Sequence, residues 1–263
     1  MSGNSAFVMV RARGWHRGFG NLLGNELARW WKTRMGWFQC LLWVAVSLML
    51  LSDVLLRKGT VHRSAMADAA AQLYAVFQPV GLIVLMQSVL VGEKKDGTAA
   101  WVLSKPASRA AFVLSKLAAN ALGALVTMVG VSSVMFYVLC AIGHKTPPPL
   151  PTFVAALGFV LLHHLFYLTL MLMLGAVSNS RGLVIGVPAA ILLEGWDLTR
   201  KFPMLRSILP MNLVDTVNTR TSAFAARFYG GSALAYWPLV ATVAAMCLLF
   251  AGIAVWRFSR EEL

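Results

Sequence analysis

The chain has 263 residues, of which 59% are hydrophobic and 13% are charged, with a formal net charge of +13 and a mean hydropathy of +0.71. Soluble globular proteins carry about 25% charged residues, so this composition excludes an ordinary soluble domain and indicates a helical protein that crosses a membrane several times. The basic excess then reflects the residues that flank membrane spans and not nucleic-acid binding.

The N-terminal part of the chain precedes the first long apolar run. Residues 1–20 contain four glycines and show no periodicity, so we expect a flexible tail. Over residues 21–36, apolar side chains fall on one broad helical face. This pattern predicts an amphipathic helix at the inner membrane interface, with Trp30 and Trp31 at the depth of the lipid headgroups. Glu26 interrupts the apolar face, and a polar extension of the first span is the alternative.

Six apolar segments follow and predict an all-α membrane protein with six transmembrane helices. They cover residues 38–54, 73–91, 110–142, 150–177, 183–196 and 233–257. The apolar run from 183 to 193 is about 17 Å long as a helix, against a hydrocarbon core of about 30 Å. Pro188 lies inside this run, so either a full span or a broken helix fits the sequence. We expect residues 21–263 to form one membrane domain.

The charge distribution predicts the orientation. With six spans and an internal N-terminus, 14 lysines and arginines and five acidic residues lie inside, a net charge of +9. Nine basic and five acidic residues lie outside, a net charge of +4. The positive-inside rule therefore favours a multi-pass protein of the inner, cytoplasmic membrane with both termini in the cytoplasm.

The connection between the second and third spans contains strong turn signals. Gly97 and Thr98 can begin a short helix, and Pro106 forces that helix to end. Trp101, Val102 and Leu103 give the helix an apolar patch on its surface. A short cytosolic helix that is joined tightly to two membrane helices suits a protein that receives force from a soluble partner.

Glu93 stands where the second span leaves the membrane, and two interpretations of it remain open. It is a solvated surface charge, or it anchors the turn, either by pairing with Arg109 or Lys116 or by accepting hydrogen bonds from backbone donors at the turn. We expect Lys94 to be a surface charge whose removal has little effect. Ser108 can cap the helix that becomes the third span.

This connection resembles the intracellular coupling segment of ABC type-2 transporter permeases, the membrane subunits of exporters driven by a separate ATPase. The residues that match the family pattern are Glu93, Gly97, Thr98, Leu103, Ser104, Pro106, Ser108, Arg109 and Lys116. The chain departs from the pattern at Ala99, Ala100 and Trp101, where the family more often has leucine, an acid and leucine. Further resemblance comes from Glu26 in the N-terminal helix, the six spans, residues 209–215 and residues 256–263.

The resemblance implies a permease subunit that catalyses no reaction and binds no cofactor itself. Two copies, or one copy and a related chain, would pair with two ATPase subunits that bind ATP and magnesium. The residues implied in coupling to the ATPase are Glu93, Gly97, Thr98, Trp101, Leu103, Pro106 and Arg109. The residues themselves agree that ATP binds elsewhere, because the lysine of a phosphate-binding loop is missing before Thr98. By resemblance, residues 194–236 should form short or re-entrant helices that cap the outer mouth, and an ordinary surface loop is the alternative.

Polar side chains within the predicted spans leave two interpretations open. They line the transport path, or they form hydrogen bonds within the helix bundle. The candidates are Gln78, Gln87, Asn120, Thr127, His163 and His164. On the third span, two of them share a face with Gly123, Ala124 and Gly130, whose small side chains permit close helix packing.

His163 and His164 also suggest an alternative class, an integral-membrane haem or quinone redox subunit. A haem held by two histidines takes ligands from two facing helices, whereas these adjacent residues point about 100° apart on one helix. Three cysteines, at positions 40, 140 and 247, lie in apolar segments and give neither a disulfide framework nor a metal-ligand spacing. The sequence therefore favours the permease.

Overall fold

The computed structural model describes residues 14–56, 63–144, 148–214, 222–228 and 230–261. Within these ranges the chain forms α-helices, short π and 3₁₀ turns and no strands. The α-helices are α1 (Phe19–Lys32), α2 (Arg34–Leu56), α3 (Arg63–Gln72), α4 (Gln78–Met86), α5 (Val91–Lys95), α6 (Thr98–Leu103), α7 (Arg109–Ala124), α8 (Val131–His144), α9 (Leu150–Val177), α10 (Arg181–Lys201), α11 (Ala223–Phe228) and α12 (Trp237–Ser259).

Five helical stretches of the described chain are long and apolar enough to cross a membrane. They are Asp68–Lys95, Arg109–Ile142, Leu150–Val177, Arg181–Lys201 and Leu234–Ser259. A sixth span arises if α1 and the first part of α2, which are bent by 58° relative to each other, count as one. The chain is therefore an all-α polytopic membrane protein, as predicted.

Two of the spans are built from α-helices joined by a π-helical turn. Leu73–Phe77 joins α3 to α4, and Leu125–Gly130 joins α7 to α8. The helix that leads into the second span already begins at Arg63, ten residues before the predicted start. Its first turns are rich in alanine, which favours helix without the high hydropathy by which a span is recognised.

The fifth span, for which a full span and a broken helix both fitted the sequence, is one continuous helix. α10 has 21 residues, which corresponds to about 31 Å and is enough to cross the hydrocarbon core. Pro188 lies inside it and is buried, and the helix is not broken there. The apolar run looked short because the last turns carry charges, including Asp197 and Arg200, which form an exposed pair at 3.6 Å.

The helix predicted over residues 21–36 is interrupted by Thr33. α1 begins at Phe19 and ends just before this residue, whose backbone is extended. The Thr33 hydroxyl donates to the Arg29 carbonyl oxygen at 2.5 Å and accepts from the Met35 amide at 3.3 Å. The threonine therefore caps both helix ends at the bend, and α2 starts earlier than the predicted first span.

Trp30, which was predicted at the depth of the lipid headgroups, is buried inside the protein. Its side chain is 8% exposed, and its ring lies against Gly123 of α7. A Cβ atom at Gly123 would stand 2.3 Å from Cε2 of Trp30, so only glycine leaves room for the ring. Trp31 is exposed. The small-residue face of the third span thus packs against α1, within the bundle.

Aromatic side chains close the end of the bundle opposite α6. Phe224 and Phe228 of α11 are buried, and the Phe224 ring lies 5.8 Å from that of Tyr74. The Phe228 ring contacts those of Phe136 and Phe153 at 6.1 and 6.2 Å. The short helices expected in the connection after α10 are therefore present in its described part, and they pack onto the core.

We predict that Gly123→Ala destabilises the protein, because the new methyl group must displace the Trp30 ring. Overpacking of this kind costs about 1–3 kcal/mol. Gly158→Ala is the control, since nothing lies within 4 Å of a Cβ atom there. It should leave thermal unfolding in detergent unchanged or raise the midpoint slightly. Equal midpoints for the two variants would contradict the packing of Trp30 on Gly123.

Candidate functional site

Residues 91–116, here called the elbow, turn the chain from the second span into the third. Gly97 has a φ of 69° and begins α6, a conformation that glycine adopts without strain. α6 ends before Pro106, as predicted. Ser108 caps α7, because its hydroxyl oxygen accepts from the Ala111 amide at 2.9 Å. The sequence signals therefore set the shape of the elbow.

The charged centre of the elbow is Lys116, two turns into α7. Its Nζ atom lies 2.5 Å from a carboxylate oxygen of Glu26 and 2.5 Å from one of Glu93. The lysine side chain is 1% exposed, and each carboxylate is about one fifth exposed. We call these three residues the Lys116 cluster. It joins α1, α5 and α7 through charge-assisted hydrogen bonds.

Glu93 is thus an anchor and not a free surface charge, and its partner is Lys116 and not Arg109. A second cation, Arg29, lies 3.9 Å from Glu93 but is largely exposed, so it contributes little. Glu26 was predicted only as a member of the interfacial helix. The signal for its role was available, because an acid that interrupts an apolar helix face needs a buried cation.

Arg109 and Lys94 have partners that the sequence did not reveal. Arg109 donates to the carbonyl oxygens of Ser259 at 3.0 Å and Glu261 at 2.5 Å. Lys94 is 5% exposed, and its Nζ atom lies 2.8 Å from a carboxylate oxygen of Glu261. The prediction that Lys94 is a solvated surface charge is therefore wrong. Glu261 was missed because it lies near the other end of the sequence.

Of the apolar patch predicted on α6, only Trp101 is exposed. Trp101 is 63% exposed, and the Lys105 ammonium lies 3.6 Å from its ring centroid. Leu103 is half-buried and packs against the hydrophobic core, so it does not belong to the exposed patch. A helix of six residues cannot present Trp101 and Leu103, which are two positions apart, on the same face. Thr98 and Pro106 are exposed beside Trp101.

The end of the predicted flexible tail is bound to the elbow. The Ser108 hydroxyl donates to the Trp15 carbonyl oxygen, and the Ser108 amide donates to the Arg17 carbonyl oxygen at 2.9 Å. Residues 1–13 of this tail lie outside the described part of the chain, as do residues 262 and 263. The described N-terminal residues therefore form part of the site.

The polar residues within the spans form hydrogen bonds inside the bundle. Gln78 links two spans, because its Nε2 atom donates to the Met128 carbonyl oxygen at 2.8 Å and to Ser132 Oγ at 2.9 Å. Asn120 and Thr127 donate to carbonyl oxygens of their own helix. The half-buried Gln87 does the same. The contacts between spans favour the packing interpretation for Gln78, whereas the bonds of the other three residues stay within their own helical stretches.

The two histidines of α9 are buried, and each uses one ring nitrogen. Nδ1 of His163 lies 3.0 Å from the Pro210 carbonyl oxygen, and Nδ1 of His164 lies 2.7 Å from that of Val160. Since a carbonyl oxygen only accepts, each Nδ1 carries the proton. Both Nε2 atoms lack a partner among the described residues.

One family model matches the chain. It is described as ABC-2 family transporter protein and covers residues 44–263. The match begins within α2, includes the whole elbow, and leaves out α1 with Glu26. No curated protein matches the chain at a significant level.

We predict that Lys116→Met destabilises the fold, because it leaves two partly buried carboxylates without their cation. Removing one partner of a fully buried pair costs about 3–5 kcal/mol, and we expect about 2–3 kcal/mol here because water reaches both carboxylates. Arg29→Gln is the matched control, with an effect below about 0.5 kcal/mol. Thermal unfolding in detergent measures both. If Lys116→Met is as mild as Arg29→Gln, the Lys116 cluster does not hold the elbow.

Proposed function

Because the chain belongs to the ABC-2 family of transporter proteins, we propose that it is the permease of an ATP-driven exporter whose ATPase is a separate subunit. That it is a membrane permease of an ABC transporter follows from the family itself. The separate ATPase and the outward direction of transport are our proposals. The family match supports the permease over the redox alternative.

The observation that carries the proposal is the exposed Trp101 on a rigid elbow. A large aromatic side chain that is 63% exposed at a chain turn is typical of a protein contact site. The Lys116 cluster joins the two ends of the elbow through Glu93 and Lys116, and the Ser108 cap lies between them. We propose that the ATPase binds α6 here, with Trp101 as the central contact.

The Lys116 cluster gives this contact a mechanical consequence. When ATP brings two ATPase subunits together, α6 would move with the subunit that it contacts. Since Lys116 joins α1, α5 and α7, the elbow, the N-terminal helix and the third span would move as one body. ATP and magnesium belong to the ATPase in this scheme, and the permease contributes only the contact and the moving helices.

A second permease copy or a related chain completes the proposed assembly within the lipid bilayer. An apolar groove of about 760 Å³ opens along the first and third spans, and it is lined by Val44, Leu125, Val126, Gly130, Val131, Val134, Met135 and Val138. Gly130 of the small-residue face therefore lies outside the contact with α1. This groove is suited to lipid chains or to a helix of the second subunit.

We predict that Trp101→Ala weakens binding of the ATPase by about 30-fold or more, which corresponds to about 2 kcal/mol for loss of a central aromatic contact. The measurement is co-purification, followed by titration of the ATPase onto permease in nanodiscs. Trp237→Ala is the control, because Trp237 is 68% exposed at the opposite end of the bundle. Unchanged ATPase affinity of the Trp101 variant would refute α6 as the docking helix. Leu103 is unsuitable for this test because its loss would disturb the core.

We predict that both termini are cytoplasmic, as the charge asymmetry indicates. Single cysteines at positions 58 and 145 should react with an impermeant maleimide in intact cells. Those at positions 15, 95 and 262 should react only after permeabilisation. The background lacks the native Cys40, Cys140 and Cys247. External labelling at 262 together with internal labelling at 15 would show that α10 does not span.

A further inference from the structure

The elbow contacts the ends of two other membrane helices, and we infer that Lys94, Arg109 and Glu261 pass movement of α6 on to α9 and α12. This inference rests on the proposed function, because it requires an ATPase that moves α6. It concerns residues beyond the Lys116 cluster and assigns Glu261 a positioning role.

The first contact is at the end of α9. The last carbonyl groups of a helix have no donor within the helix and carry partial negative charge. Lys94 Nζ lies 3.4 Å from the Ala176 carbonyl oxygen, one residue before α9 ends. A lysine that is 5% exposed needs a closer negative partner, and the Glu261 carboxylate supplies it at 2.8 Å.

The second contact is at the end of α12. Arg109 Nη1 donates to the carbonyl oxygen of Ser259, the last residue of α12, and to that of Glu261. The Glu261 side chain therefore pairs with Lys94, and the Glu261 backbone carbonyl oxygen accepts a hydrogen bond from Arg109. Glu261, two residues after the end of α12, is thus bound both by α5 and by the first turn of α7.

Apolar packing makes this connection stiff. The ring of Phe258 stacks on that of Phe112 in α7, with centroids 5.2 Å apart and planes within 12°. Phe258 is fully buried. About two turns earlier in α12, the Phe250 ring lies 5.6 Å from that of Phe166 in α9. A displacement of the elbow would therefore push directly on α12. It would reach α9 by two routes, through α12 and through Lys94.

Two adjacent residues of α5, Glu93 and Lys94, carry opposite charges and connect α5 to different helices. Glu93 binds Lys116 and so ties α5 to α1 and α7, whereas Lys94 ties α5 to α9 and α12. Lys95, the next residue, is exposed and takes part in neither of these contacts. Loss of the Lys94 or Glu261 side chain should leave the ATPase contact at Trp101 in place and weaken only the connection from the elbow to α9 and α12.

The test is hydrogen–deuterium exchange on the complex of permease and ATPase in nanodiscs, with and without ATP. In the parent we expect ATP to change exchange in α6 and in the last turns of α9 and α12. Glu261→Ala and Lys94→Gln should keep the change in α6 and reduce the changes in α9 and α12, because these variants lose the Lys94 link but keep the backbone contacts of Arg109 and the stacking of Phe112 on Phe258. Lys94→Arg, which keeps the cation, and Lys95→Gln, an exposed neighbour, should behave like the parent.

The inference is overturned if α9 and α12 respond to ATP as strongly in Glu261→Ala as in the parent. That variant decides the matter if Lys94→Gln does not fold, since Glu261 is nearer the surface. The proposed function fails separately, and this inference with it, if no ATPase binds the parent or if ATP leaves α6 unchanged.

Discussion

The structure depends on the burial of one ammonium group between two carboxylates. Lys116 is 1% exposed, and a buried lysine is tolerated only when its charge is paired and its donors are used. Glu26 and Glu93 meet this requirement from two different helices, so the position of α1 and of α5 relative to α7 is set by the same charge. The turn residues Gly97 and Pro106 shape the rest of the elbow, and the Lys116 cluster fixes the elbow against α1.

Close packing and charge act together at this site. Trp30 lies on Gly123 two turns further along α7, so α1 contacts the third span through one aromatic ring and one carboxylate. An amphipathic helix at a membrane surface is ordinarily held by lipid alone and is free to slide. Here α1 is fixed to the bundle, which lets it move with the elbow instead of independently of it.

The ends of helices explain why basic residues of the elbow contact the far part of the chain. Membrane helices end with carbonyl groups that have lost their intrahelical donors. Lys94 and Arg109 provide such donors to α9 and α12, and Glu261 balances the charge of Lys94. Lys94 and Arg109, which the charge distribution predicts to lie on the inner side, therefore also join helices at one end of the bundle.

The sequence by itself determined the all-α membrane fold, most of the spans and the turn signals of the elbow, because hydropathy, glycine, proline and capping residues act over a few neighbouring positions. It also named Arg109 and Lys116 among the candidate partners of Glu93. Only the tertiary structure paired Glu93 with Lys116 and Lys94 with Glu261. It also showed that Trp30 is buried and that Leu103 is half-buried. The physical reason is that burial and ion pairing depend on which helices meet in space, and residues 94 and 261 are too far apart along the chain for any local pattern to connect them.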